Sequence, residues 1–72
     1  MRKPKFQRIG PNTYNVSFEG LGLVGVVQRE PLKTGWSAFD TNGTKLLDDY
    51  PGSRRAAGGM LLSLRPDIVK VP

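Results

Sequence analysis

Two adjacent arginines, Arg54 and Arg55, follow Ser53 at a point where a helix should begin, and their side chains are the ones in this 72-residue chain best placed for chemistry with an anion. Ser53 is a good N-cap residue, and Ala57, Met60, Leu61 and Leu64 recur behind it at helical spacing. A helix start carries unpaired N–H groups and partial positive charge, so cations there oppose the macrodipole at a cost of a few tenths of a kcal/mol. Two arrangements would offset that cost. The pair can clamp a phosphate together with the free N–H groups, or one arginine can form a local ion pair with Asp40, Asp48 or Asp49, which is worth little at a surface. The sequence leaves both open.

Other motifs fail for lack of partners. Gly20-Leu21-Gly22-Leu23-Val24-Gly25 has the letters of a dinucleotide-binding loop, but that loop must open a helix, and here it runs into Val26-Val27 and then Pro31. A hairpin relieved by glycine fits better, with Gly25 marking a bulge or a close approach. Asp40-Thr41-Asn42-Gly43 starts like a calcium loop, but Lys45 and Pro51 stand where its Gly and bidentate Glu are required. With no cysteine and no histidine, disulfides, thiolate metal sites and histidine-assisted nucleophiles are excluded. Asp48 and Asp49 point apart in any regular structure and make a poor acid/base pair. The chain therefore reads as a non-enzyme without catalytic residues, cofactor or metal.

The elements that must position Arg54 and Arg55 are mostly strands. Lys5 to Ile9 reads as a short first strand, followed by turn residues Gly10-Pro11-Asn12-Thr13. Tyr14, Val16 and Phe18 alternate with Asn15, Ser17 and Glu19, the signature of a half-buried strand. Leu23 to Arg29 carries Val24, Val26 and Val27, whose branched side chains favour extended chain. Trp36 to Asp40 follows the Pro31–Gly35 loop, and Asn42-Gly43 supplies a tight turn. Lys45 to Gly52 reads only as a brief extension and a loop packing Tyr50, because Leu46-Leu47 breaks alternation and Asp48, Asp49, Pro51 and Gly52 are poor strand residues. The helix spans Ser53 to about Leu64 and ends before Pro66. Its Gly58 and Gly59 each cost up to about 1 kcal/mol against alanine, which fits either a close approach to a neighbour or a weakened helix. Ile68, Val69 and Val71 supply a short edge strand or a docking tail.

The expected fold class is α+β: a small antiparallel sheet of three to four strands with one C-terminal helix packed on one face. Residues 1–72 form a single small domain, with a flexible basic arm at 1–5 and a tail at 66–72. Tyr14, Val16, Phe18, Trp36, Ala57, Leu61 and Leu64 should supply the buried contacts. Val24, Val26 and Phe39 are expected on the sheet face away from the helix. A core this thin gains little stability by itself, which makes self-association an economical addition.

Net charge is +5, and Arg2, Lys3, Lys5 and Arg8 crowd the start of the chain. That pattern suits a polyanion-binding arm, or equally a solubilising terminus. No apolar run is long enough for a membrane span, and no apolar segment follows the basic start, so a cytoplasmic protein without membrane contact is expected.

Trp36-x-Ala38 on a late strand, a glycine turn, and then Ser53-Arg54-Arg55-Ala56-Ala57 opening a leucine-bearing helix resemble the sheet-plus-helix DNA-binding modules of tyrosine-integrase N-termini and AP2-type domains. The likeness spans roughly residues 14–64. In style the chain also resembles small proteins of actinobacterial phages. The resemblance implies an accessory or regulatory protein that binds duplex DNA. In those modules the exposed sheet face enters the major groove, whereas here Asn15, Ser17 and Glu19 occupy a strand of that face and only Gln28 and Arg29 add suitable groups. Mainly phosphate contacts are therefore expected, from Arg2, Lys3, Lys5, Arg29, Lys33, Arg54 and Arg55. The competing expectation is a protein-interaction module, acting as a homodimer or by binding a host protein, without direct nucleic-acid contact.

Overall fold

The structure, a computed structural model, describes residues 3–64. Arg2 of the predicted arm and the tail at 66–72, expected as a short edge strand or a docking tail, lie outside the described residues. Five strands, β1 (Pro4–Gly10), β2 (Thr13–Phe18), β3 (Gly22–Gln28), β4 (Trp36–Phe39) and β5 (Lys45–Tyr50), form one antiparallel sheet in chain order, and α1 (Arg54–Leu64) follows. The class is α+β, as expected, with one C-terminal helix. Strand β1 runs one residue further at each end than the expected Lys5–Ile9 strand, so that Pro4 of the arm also belongs to it. Among the described residues no helix is long and apolar enough to cross a membrane.

The strand count corrects the expectation of three or four. Lys45–Tyr50 is a full strand, paired through Trp36 with Tyr50, Ala38 with Leu47 and Phe39 with Lys45, and interrupted by two register shifts. Those shifts explain why Leu46-Leu47 does not alternate. Asp49 takes a positive φ of 51°, a conformation aspartate tolerates better than most residues, and its carboxylate accepts the Gly35 N–H at 2.8 Å. Two residues poorly suited to strands thus sit at an irregular edge, held by specific partners.

The bulge expected near Gly25 is present. Val16 faces Gly25 and Ser17 faces Leu23, so β3 carries an extra residue, Val24, at that step. The insertion resets alternation and takes Val24 into the buried core with Val16, Phe18, Val27, Ala38, Ala57 and Leu61. Val24 was expected on the opposite face. A Cβ on Gly25 would lie 2.3 Å from the Phe39 carbonyl oxygen and 3.3 Å from both Leu61 methyls, so the bare backbone lets α1 and β4 close in. The Gly20–Gly22 stretch is the β2–β3 hairpin, with φ of 83° and 76° at the two glycines and no helix after it.

The helix begins as its sequence demands. Ser53 Oγ accepts the Ala56 N–H at 3.1 Å, and the Ser53 carbonyl accepts the Ala57 N–H at 2.9 Å. Ala57 and Leu61 are fully buried, whereas Met60 and Leu64 are only partly covered. Tyr14 and Trp36 are likewise half-buried and pack on the rim of the core. The two helix glycines have different roles. Gly58 is buried, and a Cβ there would come within 2.6 Å of the Phe6 ring, whereas Gly59 has nothing within 4 Å.

Candidate nucleic-acid interface

Alternation assigns each strand residue to a face. Phe6 pairs with Val16 and Arg8 with Tyr14, so Phe6, Arg8 and Tyr14 share the helix side. Lys5, opposite Ser17, belongs with Gln7, Asn15, Val26 and Phe39 on the open side. The helix covers only part of its side. Its first residue stands over β1 and β2, leaving Phe6, Tyr14 and Trp36 half-buried in a continuous aromatic row. The Phe6 and Tyr14 centroids are 6.3 Å apart edge to face, and those of Tyr14 and Trp36 are 6.1 Å apart at a 54° tilt.

These rings, with Asn12, Arg54 and Arg55, line an open hollow of about 610 Å³ at the N-terminal end of α1. The Arg54 guanidinium lies 4.3 Å from the Tyr14 ring centroid and 4.8 Å from that of Phe6. Each such contact contributes about 0.5–1 kcal/mol at an exposed site, enough to offset the unfavourable position of one cation at the helix start. Arg55 is exposed and has no such support. Neither arginine forms an ion pair among the described residues, so the pairing with Asp40, Asp48 or Asp49 that the sequence allowed is not made there.

The carboxylates are engaged elsewhere. Lys33 Nζ lies 2.6 Å from Asp48 Oδ1 and 3.7 Å from Glu30, and Lys45 Nζ lies 3.1 Å from Glu30 and 3.4 Å from Asp48. The buried Ser37 hydroxyl is shared between the two carboxylates at 3.3 Å from each. The hydrogen bond from Lys45 holds the Glu30 carboxyl below its ordinary range, and that from Lys33 does the same for Asp48. Lys33 is raised in turn by its bond to Asp48. This electrically balanced cluster ties the 29–35 loop to β5. Asp40 holds its own hairpin, accepting the N–H groups of Asn42 and Thr44 at 2.8 and 2.9 Å.

The expected phosphate contacts therefore fall into separate places. Arg54 and Arg55 line the hollow, and Arg29 stands at the same end of the sheet, its N–H donating to the carbonyl of Asn12 at 2.9 Å. Lys3 precedes Pro4, another lining residue. Lys5 belongs to the opposite face, and Lys33 is committed to Asp48. Phe6 and Asn12 join this region without having been expected there, and Arg8, expected only as part of the basic start, stands opposite Tyr14. The spacing of Phe6 and Arg8 was a usable signal, since residues two apart on a strand share a face. No family model, curated protein or solved structure matches the chain.

Proposed function

We propose that the protein is a non-enzymatic nucleic-acid-binding module that holds phosphates with the arginines around the start of α1. One observation carries this reading: among the described residues Arg54 and Arg55, which line the hollow, have no carboxylate partner, nor do Arg8, opposite Tyr14, and Arg29, bonded through its backbone to Asn12, whereas Lys33 and Lys45 are neutralised by Glu30 and Asp48. The first helical turn contains no acidic residue, so the N–H groups and the helix dipole add to the same positive field. Contacts made mainly to phosphate give weak sequence preference and strong salt dependence. Fluorescence anisotropy with a labelled oligonucleotide at low salt and micromolar protein tests the reading. Binding that weakens in the Arg54→Ala, Arg55→Ala double variant is expected, and absence of binding, or an unchanged affinity in that variant, overturns it.

A second reading, self-association, is favoured by the open face of the sheet. Val26 pairs with Phe39 there, both partly exposed, and Leu23 on the same face is 50% exposed. A second copy could cover this group in a symmetric dimer. Light scattering at high concentration decides it: a monomer whose mass and stability are unchanged by Val26→Asp removes the reading.

A further inference from the structure

We infer that the hollow at the start of α1 receives an unpaired nucleobase, which makes single-stranded nucleic acid the preferred ligand class. The inference rests on the nucleic-acid reading above and adds to it what the aromatic residues do. Phosphate binding by itself requires cations and N–H groups, not rings. Here three rings in a row, with Tyr14 in contact with both Phe6 and Trp36, line the hollow beside the arginines, and Arg54 is held against two of them. Aromatic faces and guanidinium planes are the surfaces on which splayed-out bases stack. Among the described residues the side-chain amide of Asn12, another lining residue, makes no hydrogen bond, so its donor and acceptor are available to a base edge.

Size and charge select the same occupant. A volume of about 610 Å³ falls within the roughly 300–1,000 Å³ of small-ligand clefts, enough for a nucleotide. The bases of a duplex are stacked inside it and cannot enter such a hollow without being extruded. Arg55 is exposed at the rim, and Arg8 and Arg29, without a carboxylate partner among the described residues, extend the positive charge toward that end of the sheet, where the phosphates flanking an inserted base would run.

The test uses the full chain and three probes of equal length: a single-stranded oligonucleotide, its duplex, and an abasic phosphodiester oligomer. Trp36 is the only tryptophan, so its emission reports on the hollow directly. The expected result is that the single strand binds about tenfold tighter than either other probe, consistent with stacking of one base, and alone quenches Trp36. Tyr14→Leu keeps apolar bulk and should remove that preference, while Arg55→Ala should weaken all three probes alike. Equal binding of all three without quenching overturns the base-binding inference and leaves phosphate recognition standing. An acidic peptide that displaces the single strand as well as the abasic oligomer does also overturns it, in favour of charge alone. If none of the three binds, the nucleic-acid reading itself fails.

Discussion

The guanidinium of Arg54 rests 4.3 Å from the centroid of the Tyr14 ring, joining the first residue of the helix to the second strand of the sheet. Arg55, its neighbour in sequence, is exposed and has no carboxylate partner among the described residues. Identical, adjacent residues thus have different physical roles, and their substitutions should separate. Arg54→Ala is expected to lower stability by about 1 kcal/mol through the lost cation–π contacts. Arg55→Ala should stay within about 0.5 kcal/mol of the parent. Urea denaturation of both variants measures this, and an equal loss in the two would contradict the division of roles.

The two helix glycines make a similar contrast. Gly59 has open space where a Cβ would go, so Gly59→Ala should stabilise by about 0.5–1 kcal/mol from helix propensity and reduced unfolded-state entropy. In Gly58→Ala the new methyl meets the Phe6 ring at 2.6 Å. Phe6 would have to move, disturbing its contact with Arg54 and cancelling the propensity gain. Thermal melts that showed the same gain for both variants would mean that Phe6 is free to yield.

Gly25 admits no such adjustment, because the obstacle is the backbone carbonyl of Phe39. Gly25→Ala should cost at least the roughly 1–3 kcal/mol typical of overpacking, with the β3–β4 pairing strained first. Amide hydrogen exchange would report that strain as lost protection at Val26 and Val27, and a variant with parental protection there would refute the close-packing account.

The helix start, the bulge at Gly25 and the alternation of β2 were legible because each depends on residues close together in the chain. Strand β5 was not. Its pattern is broken by register shifts, and its aspartates are held by Gly35 N–H and Lys33, which lie beyond a hairpin and a loop. Val24 was misplaced for a related reason: Gly25 marks a bulge, but which residue is inserted is fixed only by the pairing with β2, which puts Val24 in the core while Val26 stays on the open face. The arginine pair was visible, but the hollow was not, since Phe6 meets Arg54 and Asn12 joins them around the hollow only after the sheet has formed. Likewise the charge of Lys33 looked available until the fold placed Asp48 against it.

Stability should depend on acidity through the Glu30–Lys33–Lys45–Asp48 cluster. Glu30 and Asp48 have depressed carboxyl pKa values, so their contribution is present at neutral pH and lost as pH falls through the lowered folded-state values, below the ordinary carboxylate range. Lys33 is raised, so its contribution is present at neutral pH and lost only as pH climbs past the ordinary lysine range. The melting temperature should therefore fall on acidification, less steeply in Asp48→Asn than in the parent. Parallel acid profiles for the two proteins would show that the cluster is not what the acid transition reads.

The most direct test of phosphate binding at the start of α1 is the salt dependence of oligonucleotide affinity, compared between the parent chain, Arg55→Ala and Lys33→Ala. Arg55 has no competing partner among the described residues, so its removal should weaken binding and reduce the slope of log affinity against log salt by about one phosphate contact. Lys33, bound to Asp48 on the loop tied to β5, should leave that slope unchanged. The reverse pattern, a slope lowered by Lys33→Ala and untouched by Arg55→Ala, would contradict the account and move the nucleic-acid contact away from the helix start.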